Sequence, residues 1–163
     1  MIVFGTPLWK TYLSLRQLLG KGVPQYPTQL FPVVASKRDV LIRVMRLIGH
    51  PIVITSECRS CYEQNRLYAQ GRTIPGSIIT NARCGQSFHN FGVAFDCAFL
   101  VAGRPSWSEI HPWETLGKMG ELIGLEWGGR WEKFEDRPHF QYTLGHSFRD
   151  FQEGNVDYNK LNK

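Results

Sequence analysis

The sequence contains no long apolar run. No stretch approaches the roughly twenty consecutive apolar residues that a membrane-spanning helix needs, so we do not expect insertion into a membrane. The first five residues carry no basic group and form too short an apolar run for a secretory signal. We therefore expect a protein that is made in the cytoplasm without a signal peptide.

Basic residues are present but scattered. The formal net charge is +5, which favours an anionic partner. Because the chain has no dense run of Lys or Arg and no recognised nucleic-acid-binding motif, we do not expect that partner to be nucleic acid. The alternative interpretation is a basic surface that is simply solvated.

Cysteines are few, and their spacing is incomplete for the usual cysteine sites. Cys58 and Cys61 form a C-x-x-C pair, but no second pair follows, so neither a zinc ribbon nor a redox site is favoured. We expect Cys97 to be a small buried apolar side chain and Cys84 to have no role in chemistry. A chain of 163 residues also buries enough surface to fold without a disulfide.

Length and composition indicate one globular domain. Hydrophobic residues make up 42% of the chain and charged residues 20%, and no internal repeat or low-complexity linker is present. We therefore predict a single domain over residues 1–163. Residues 1–35 are expected to be an N-terminal extension that packs on it. Residues 146–163 are expected to be a C-terminal tail, either a short final helix or a frayed end.

Apolar periodicity predicts an alternation of helices and strands. Ser36 is a good N-cap for a helix over residues 37–48, which Gly49 ends. The β-branched run over residues 52–55 is typical of a buried strand. The remaining elements are predicted as helices over residues 6–19, 63–70 and 113–124 and as strands over residues 92–99 and 139–142.

Two short segments concentrate the side chains that bind metals. His89, Asp96 and His139 are of the types that hold a catalytic zinc ion, which takes three protein ligands and leaves a fourth position open. Asp136 precedes His139 by three residues and is the natural candidate to move protons, with Glu132 and Glu135 as competing carboxylates.

Spacing within the first segment has a structural consequence. If residues 92–99 form a strand, then Gly92, Ala94 and Asp96 point to one face and the residues between them to the other. Small side chains would then flank a metal ligand, and we expect them to keep the approach to the metal open for a substrate.

These two segments together resemble a known enzyme family. The pattern S-x-H-x-x-G-x-A-x-D over residues 87–96, followed by D-x-P-H over residues 136–139, is similar to that of the LAS zinc metallopeptidases. That family includes D-alanyl-D-alanine carboxypeptidases and L-alanyl-D-glutamate endopeptidases. The resemblance spans roughly residues 33–142 and includes residues 55–60, 63–72, 80–83 and 125–131.

This resemblance implies a fold and a set of roles. The fold would be α+β, with a small antiparallel sheet that bears the zinc ligands and packs against helices, as in the D,D-peptidases and hedgehog proteins. One Zn²⁺ would be held by His89, Asp96 and His139. Asp136 would take a proton from the attacking water and deliver it to the leaving amine. Arg59 would stabilise the oxyanion or hold a substrate carboxylate, its alternative being a surface salt bridge.

Two further residues are candidates for substrate contact. Ser87 precedes the first ligand by two residues and either binds substrate, orients His89 or is a plain turn serine. Gln64 lies on the helix predicted over residues 63–70 and either reaches the substrate or belongs to the scaffold.

The resemblance favours one branch of the family. Residues 68–73, 80–82 and 126–131 are similar to the endopeptidases that cleave between L-alanine and D-glutamate in the peptidoglycan stem peptide. A phage endolysin that lyses the bacterial cell wall is the implied type of protein, acting on peptidoglycan as a monomer. The alternatives are a D-alanyl-D-alanine carboxypeptidase or dipeptidase and a non-catalytic, zinc-containing wall-binding module.

Overall fold

Four helices and a small antiparallel sheet form the structure, a computed structural model in which residues 26–163 are described. The α+β architecture predicted from the resemblance is confirmed. The helices are α1 (Pro32–Leu47), α2 (Cys61–Ala69), α3 (Trp113–Leu122) and α4 (Phe148–Glu153). The strands are β1 (Ile52–Ser56), β2 (Ala94–Val101), β3 (Arg104–Ser106), β4 (Glu126–Trp127) and β5 (His139–Gln141). Short 3₁₀ helices cover Phe88–Phe91, Gly128–Arg130 and Tyr158–Lys160.

Two sequence-based expectations concern helices. The helix predicted over residues 6–19 lies outside the described residues. Between residues 26 and 163, none of the helices combines the length and apolar character that crossing a membrane requires.

The sheet is organised around β2. Its strand order is β1-β2-β5-β4, and every pairing is antiparallel. β1 follows one edge of β2, while β5 pairs with the beginning of β2 along the other edge and β3 pairs with its end. In this register Asp96 lies opposite both Ser56 and His139. Because directly opposed residues share a face of the sheet, the register places two candidate metal ligands side by side.

The other face of the sheet packs on α3. Phe95 and Phe140 oppose each other across β2 and β5, and both are fully buried. A Cβ atom at Gly120 of α3 would overlap the ring of Phe140, and one at Gly117 would overlap the indole of Trp127. The two glycines therefore let the helix lie directly on the strands. This contact fixes β5, and with it the position of its first residue, His139.

Helix α1 begins earlier than the sequence predicts. It starts at Pro32, with Phe31 as the N-cap, rather than after Ser36. Proline suits the first helical position because its missing N–H group would have no partner there and its φ angle is already helical. The added turn buries Val34 in the core. Residues 32–35, which the sequence analysis placed in the N-terminal extension, are thus part of α1.

The C-terminal residues 146–163 are packed rather than frayed. Ser147 caps α4 through a capping box with Asp150, which satisfies free backbone N–H groups at the helix start. Phe151 of α4 and Leu161 near the chain end are fully buried in the common core. Of the two alternatives left open by the sequence, the short final helix is the correct one.

A disulfide joins Cys61 and Cys84, a pairing that the sequence analysis did not predict. It joins the first residue of α2 to the loop that precedes the 3₁₀ helix over Phe88–Phe91. Cys58, the other cysteine of the C-x-x-C pair, is a free thiol. Sequence spacing cannot reveal a pairing across a 23-residue separation, because the pairing depends on how the loop folds back.

Removing this disulfide is expected to lower stability without moving the metal site. Closing a loop of 23 residues restricts the unfolded chain, so Cys61→Ser with Cys84→Ser should lower the free energy of unfolding by about 3 kcal/mol. Urea denaturation of the oxidised wild type and the double variant measures this difference. Cys58→Ser is the matched control, and an equal loss in both variants would contradict the prediction.

Candidate active site

Three metal-binding side chains meet at one point on the sheet. His89 comes from the 3₁₀ helix before β2, Asp96 from the beginning of β2 and His139 from the start of β5. His89 Nε2 lies 3.1 Å from Asp96 Oδ1 and 3.2 Å from His139 Nδ1, and His139 Nδ1 lies 3.1 Å from Asp96 Oδ1. Ligand atoms about 2.0–2.1 Å from a tetrahedral zinc ion are about 3.3 Å apart, so this donor set fits zinc.

In each imidazole, one ring nitrogen makes a hydrogen bond to the protein. This bond determines that the other nitrogen faces the point where the three side chains meet. His89 Nδ1 lies 2.6 Å from the carbonyl oxygen of Glu57, so it carries the proton and leaves Nε2 as the metal donor. His139 Nε2 lies 3.0 Å from Gln141 Oε1. The Gln141 amide nitrogen donates to Glu126 at 2.7 Å, which turns the amide oxygen towards His139 and leaves Nδ1 as the donor.

Electrostatics keep these groups in the forms that bind a metal. Burial lowers the pKa of His89 below its ordinary value and outweighs the nearby Asp96 carboxylate, so the imidazole stays neutral. The guanidinium of Arg59 pairs with the Asp96 carboxylate and favours its ionised form. A neutral imidazole and an ionised carboxylate are the required ligand states.

The hydrogen-bonded chain behind His139 gives a testable effect on metal binding. Gln141→Ala removes the acceptor for the Nε2–H group of His139, so we expect zinc affinity to fall about ten- to hundredfold. Competition with a chelating dye measures this affinity. Gln29→Ala, at an exposed position away from the site, is the control. Wild-type affinity in Gln141→Ala would show that Gln141 does not position His139.

Arg59 lies within the site rather than on the outer surface. Its guanidinium pairs with the Asp96 carboxylate, and its Nε donates to Ser56 Oγ at 2.9 Å. The backbone N–H of Arg59 donates to the carbonyl oxygen of His89 at 3.0 Å. A surface salt bridge, the alternative interpretation of this residue, does not describe this environment.

Asp136 is the carboxylate that reaches the site from the loop before β5. It lines the same cleft as His89, Asp96 and His139. Burial raises the pKa of Asp136 above its usual value, with the charge of His139 acting in the opposite direction. The competing Glu135 is exposed and forms an ion pair with Arg137, so its carboxylate is directed away from the cleft.

These groups lie in a cleft of about 650 Å³. Ser87 lines it, as the sequence suggests, and its hydroxyl does not cap the following 3₁₀ helix. Gln64 does not line the cleft, because it is fully buried and its Nε2 donates to the carbonyl oxygen of Ala82 at 2.7 Å. Since Ala82 does line the cleft, Gln64 supports the rim instead of reaching a substrate.

Gly92 and Ala94 have different roles from the ones that their spacing suggests. Gly92 precedes β2, at a positive φ of 66° that favours glycine. A Cβ atom there would lie 2.6 Å from the Pro27 side chain and 2.8 Å from the Gln29 carbonyl oxygen. Ala94 is fully buried and is absent from the cleft lining. The absence of a side chain at Gly92 therefore makes room for the segment before α1. The expectation that small residues at 92 and 94 keep the approach to the metal open for a substrate is wrong.

Sequence reasoning missed three residues that organise the site. Asn90 is fully buried, and its side chain donates to the Arg59 carbonyl at 2.9 Å and accepts from a rim N–H at 3.0 Å. Gly128 brings the chain close to Asp136, since a Cβ atom there would lie 2.5 Å from the Asp136 carbonyl oxygen. Gln141 could have been found by strand parity, because it follows His139 by two residues and so shares its face.

Comparison with known proteins agrees with this geometry. A peptidase M15 family model, described as D-alanyl-D-alanine carboxypeptidase, matches residues 80–142. The chain is 37% identical over 124 residues to the peptidoglycan L-alanyl-D-glutamate endopeptidase CwlK of Bacillus subtilis, covering 71% of this chain and 74% of that protein.

Solved structures share the fold at lower identity. The Serratia marcescens L-Ala D-Glu endopeptidase ChiX matches with a TM-score of 0.55 and 23% identity, over 76% of this chain and 84% of that one. The vancomycin resistance D,D-pentapeptidase VanY of a VanB-type cassette, crystallised as a mutant with Zn(II), matches with a TM-score of 0.51 and 15% identity. That match covers 87% of this chain and 94% of that one.

Proposed function

Since the chain belongs to the M15 family of metallopeptidases, we propose that it is a zinc enzyme that hydrolyses the L-alanyl-D-glutamate bond of the peptidoglycan stem peptide. The observation that carries the proposal is the triangle of donors from His89, Asp96 and His139, with Asp136 in the same cleft. The name of the Bacillus relative supports the choice of bond.

The zinc ion would be held by His89, Asp96 and His139. When bound, zinc supplies a Lewis acid and lowers the pKa of a water at its open position. Asp136 accepts the proton of the attacking water and returns it to the amine that leaves. The raised pKa of Asp136 suits this exchange, because a general base works best when its pKa lies near the working pH.

Arg59 is proposed to stabilise the charge that develops on the carbonyl oxygen. Its guanidinium already pairs with the Asp96 carboxylate, and its Nε donates a hydrogen bond to Ser56 Oγ. A preorganised cation in a partly buried cleft stabilises an oxyanion without having to move first. Ser87, on the cleft wall, is proposed to contact the peptide.

A D-alanyl-D-alanine carboxypeptidase or dipeptidase is the second candidate, because the matching family model carries that description. A wall-binding module without catalysis is the third, but the retained Asp136 and Arg59 in the cleft argue against it. We further propose that the enzyme acts on the bacterial cell wall as a phage lysin does, and as a monomer.

Digestion of purified peptidoglycan tests the proposed function. The zinc-loaded chain should release fragments with a new N-terminal D-glutamate, or its amidated form, and leave L-alanine ends on the glycan, as read by mass spectrometry. Release of D-alanine alone would assign the carboxypeptidase activity instead. Zinc binding without any cleavage would leave the wall-binding module as the function.

A further inference from the structure

Two of the described tryptophans are buried and two are exposed. Trp113 and Trp127 are each 4% exposed, and their indole N–H groups donate to backbone carbonyls at 3.0 and 2.8 Å. Trp107 and Trp131 are 53% and 37% exposed. Among residues 26–163, no protein atom accepts a hydrogen bond from either of these two indoles. Both donors are therefore available to a ligand.

The exposed tryptophans line the active-site cleft. Together with Phe134, which is 57% exposed, Trp107 and Trp131 line the same cavity as the metal site, and we call these three residues the aromatic wall. The Trp131 ring centroid is 5.1 Å from that of His139, so the wall begins beside the metal ligand. Large exposed aromatic side chains in a concave site mark a place for a ligand with apolar faces.

A pocket that adjoins the cleft has a different character. This second pocket of about 480 Å³ shares Thr55 and Arg59 with the active-site cleft, so it continues the cleft on the Arg59 side. Its lining includes the charged residues Glu57, Glu63 and Arg66. The active-site cleft thus carries an aromatic wall that begins beside His139, and at Arg59 it adjoins a pocket lined by charged residues.

The substrate of the proposed reaction is asymmetric in the same way. On one side of the scissile bond, L-alanine is joined by an amide bond to the lactyl group of N-acetylmuramic acid. The sugar has apolar C–H faces that pack on aromatic rings, and hydroxyl and acetamide oxygens that accept hydrogen bonds from indole N–H groups. On the other side, D-glutamate and the residues after it carry the carboxylates and amine of the peptide.

We propose that the aromatic wall is a binding site for the N-acetylmuramic acid residue of the glycan strand, while the charged pocket beside Arg59 receives the peptide. This assignment rests on the proposed function, because the sugar lies one residue from the metal when the bond after L-alanine is cleaved. Indole N–H groups that have no protein acceptor within residues 26–163 then donate to the sugar, and the aromatic rings cover its apolar face.

A pair of substrates that differ in the sugar tests this site. One is a muropeptide with its disaccharide, and the other is the same peptide with an acetyl group on L-alanine in place of the sugar. We expect the zinc-loaded wild type to have a higher kcat/KM for the muropeptide. Trp107→Ala should reduce the ratio of the two kcat/KM values about three- to tenfold, which is the contribution of one aromatic contact.

Two further variants separate sugar binding from general damage. Trp107→Phe retains an aromatic ring and should keep most of the wild-type ratio. Tyr62→Ala removes an aromatic side chain that is 76% exposed outside the cleft, and should leave the ratio unchanged. Trp131 is not used because its ring lies against His139, so its replacement would disturb the metal site as well.

The possible outcomes distinguish this inference from the proposed function. Equal kcat/KM for the two substrates in the wild type, or an equal loss on both in Trp107→Ala, overturns the glycan site and leaves the proposed function intact. If the wild type cleaves neither substrate after L-alanine, the proposed function fails and the glycan site fails with it.

Discussion

Replacing Asp136 by asparagine is expected to lower kcat/KM for muropeptide cleavage by a factor of about 10²–10⁴, the usual contribution of a general acid–base group. The amide has nearly the same size as the carboxylate but cannot accept the proton of the attacking water. Because Asp136 is not among the three proposed metal ligands, the variant should still bind one equivalent of zinc. Steady-state kinetics with metal analysis measures both quantities.

Glu135→Gln is the matched control for this effect. Glu135 is adjacent in sequence, but its carboxylate pairs with Arg137 at the exposed surface. Its replacement should leave kcat/KM within about threefold of the wild type, as expected for a surface ion pair. If Asp136→Asn retained more activity than Glu135→Gln, the roles of the two carboxylates would have to be exchanged.

The raised pKa of Asp136 also sets the direction of two pH effects. The base must be ionised to act, so activity should fall as the pH drops through a folded-state pKa that lies above the usual value for aspartate. Because burial raises the pKa of this carboxyl on folding, its ionisation opposes folding increasingly as the pH rises from the unfolded-state pKa to the folded-state pKa, and the full penalty is present above the folded-state pKa. Asp136→Asn should therefore unfold at a higher temperature than the wild type at pH 7 when both are free of metal.

Residue chemistry, together with the family pattern, indicated the three side chains that the structure brings together. His89, Asp96 and His139 are the residue types that zinc selects, and the structure brings them to one point because β5 pairs with β2 in the register that opposes Asp96 and His139. Choosing Asp136 over Glu135 needed the family pattern, since the sequence alone contains two adjacent carboxylates. The structure separates them by the direction of each side chain.

Features that depend on the path of loops could not be predicted in this way. Gly92 was interpreted as clearing an approach to the metal, whereas its contacts are with the segment around Pro27 and Gln29. Cys61 and Cys84 were interpreted separately, because nothing in the spacing shows that the rim loop returns to the start of α2. Both errors concern contacts between residues far apart in sequence, which local patterns do not encode.

Removing the metal is expected to abolish cleavage and to lower the thermal stability of the protein. A ligand that binds the folded state alone stabilises it by about 2.7 kcal/mol when its concentration is 100 times the dissociation constant. For a domain of this size that corresponds to about 5–10 °C in Tm. Differential scanning fluorimetry of chelator-treated protein, before and after addition of zinc, measures the shift.

His139→Ala separates the effect of the metal from the effect of the chelator. The variant loses one of three proposed ligands, so zinc should neither restore cleavage nor raise its Tm, while the wild type regains both. His50→Ala is the control, because His50 lies between α1 and β1 and is exposed. A wild type whose Tm rises with zinc but which cleaves no muropeptide would show that the metal serves folding rather than catalysis. Cleavage that persists after complete removal of metal would contradict the zinc mechanism, because the triangle of His89, Asp96 and His139 would then have no part in the reaction.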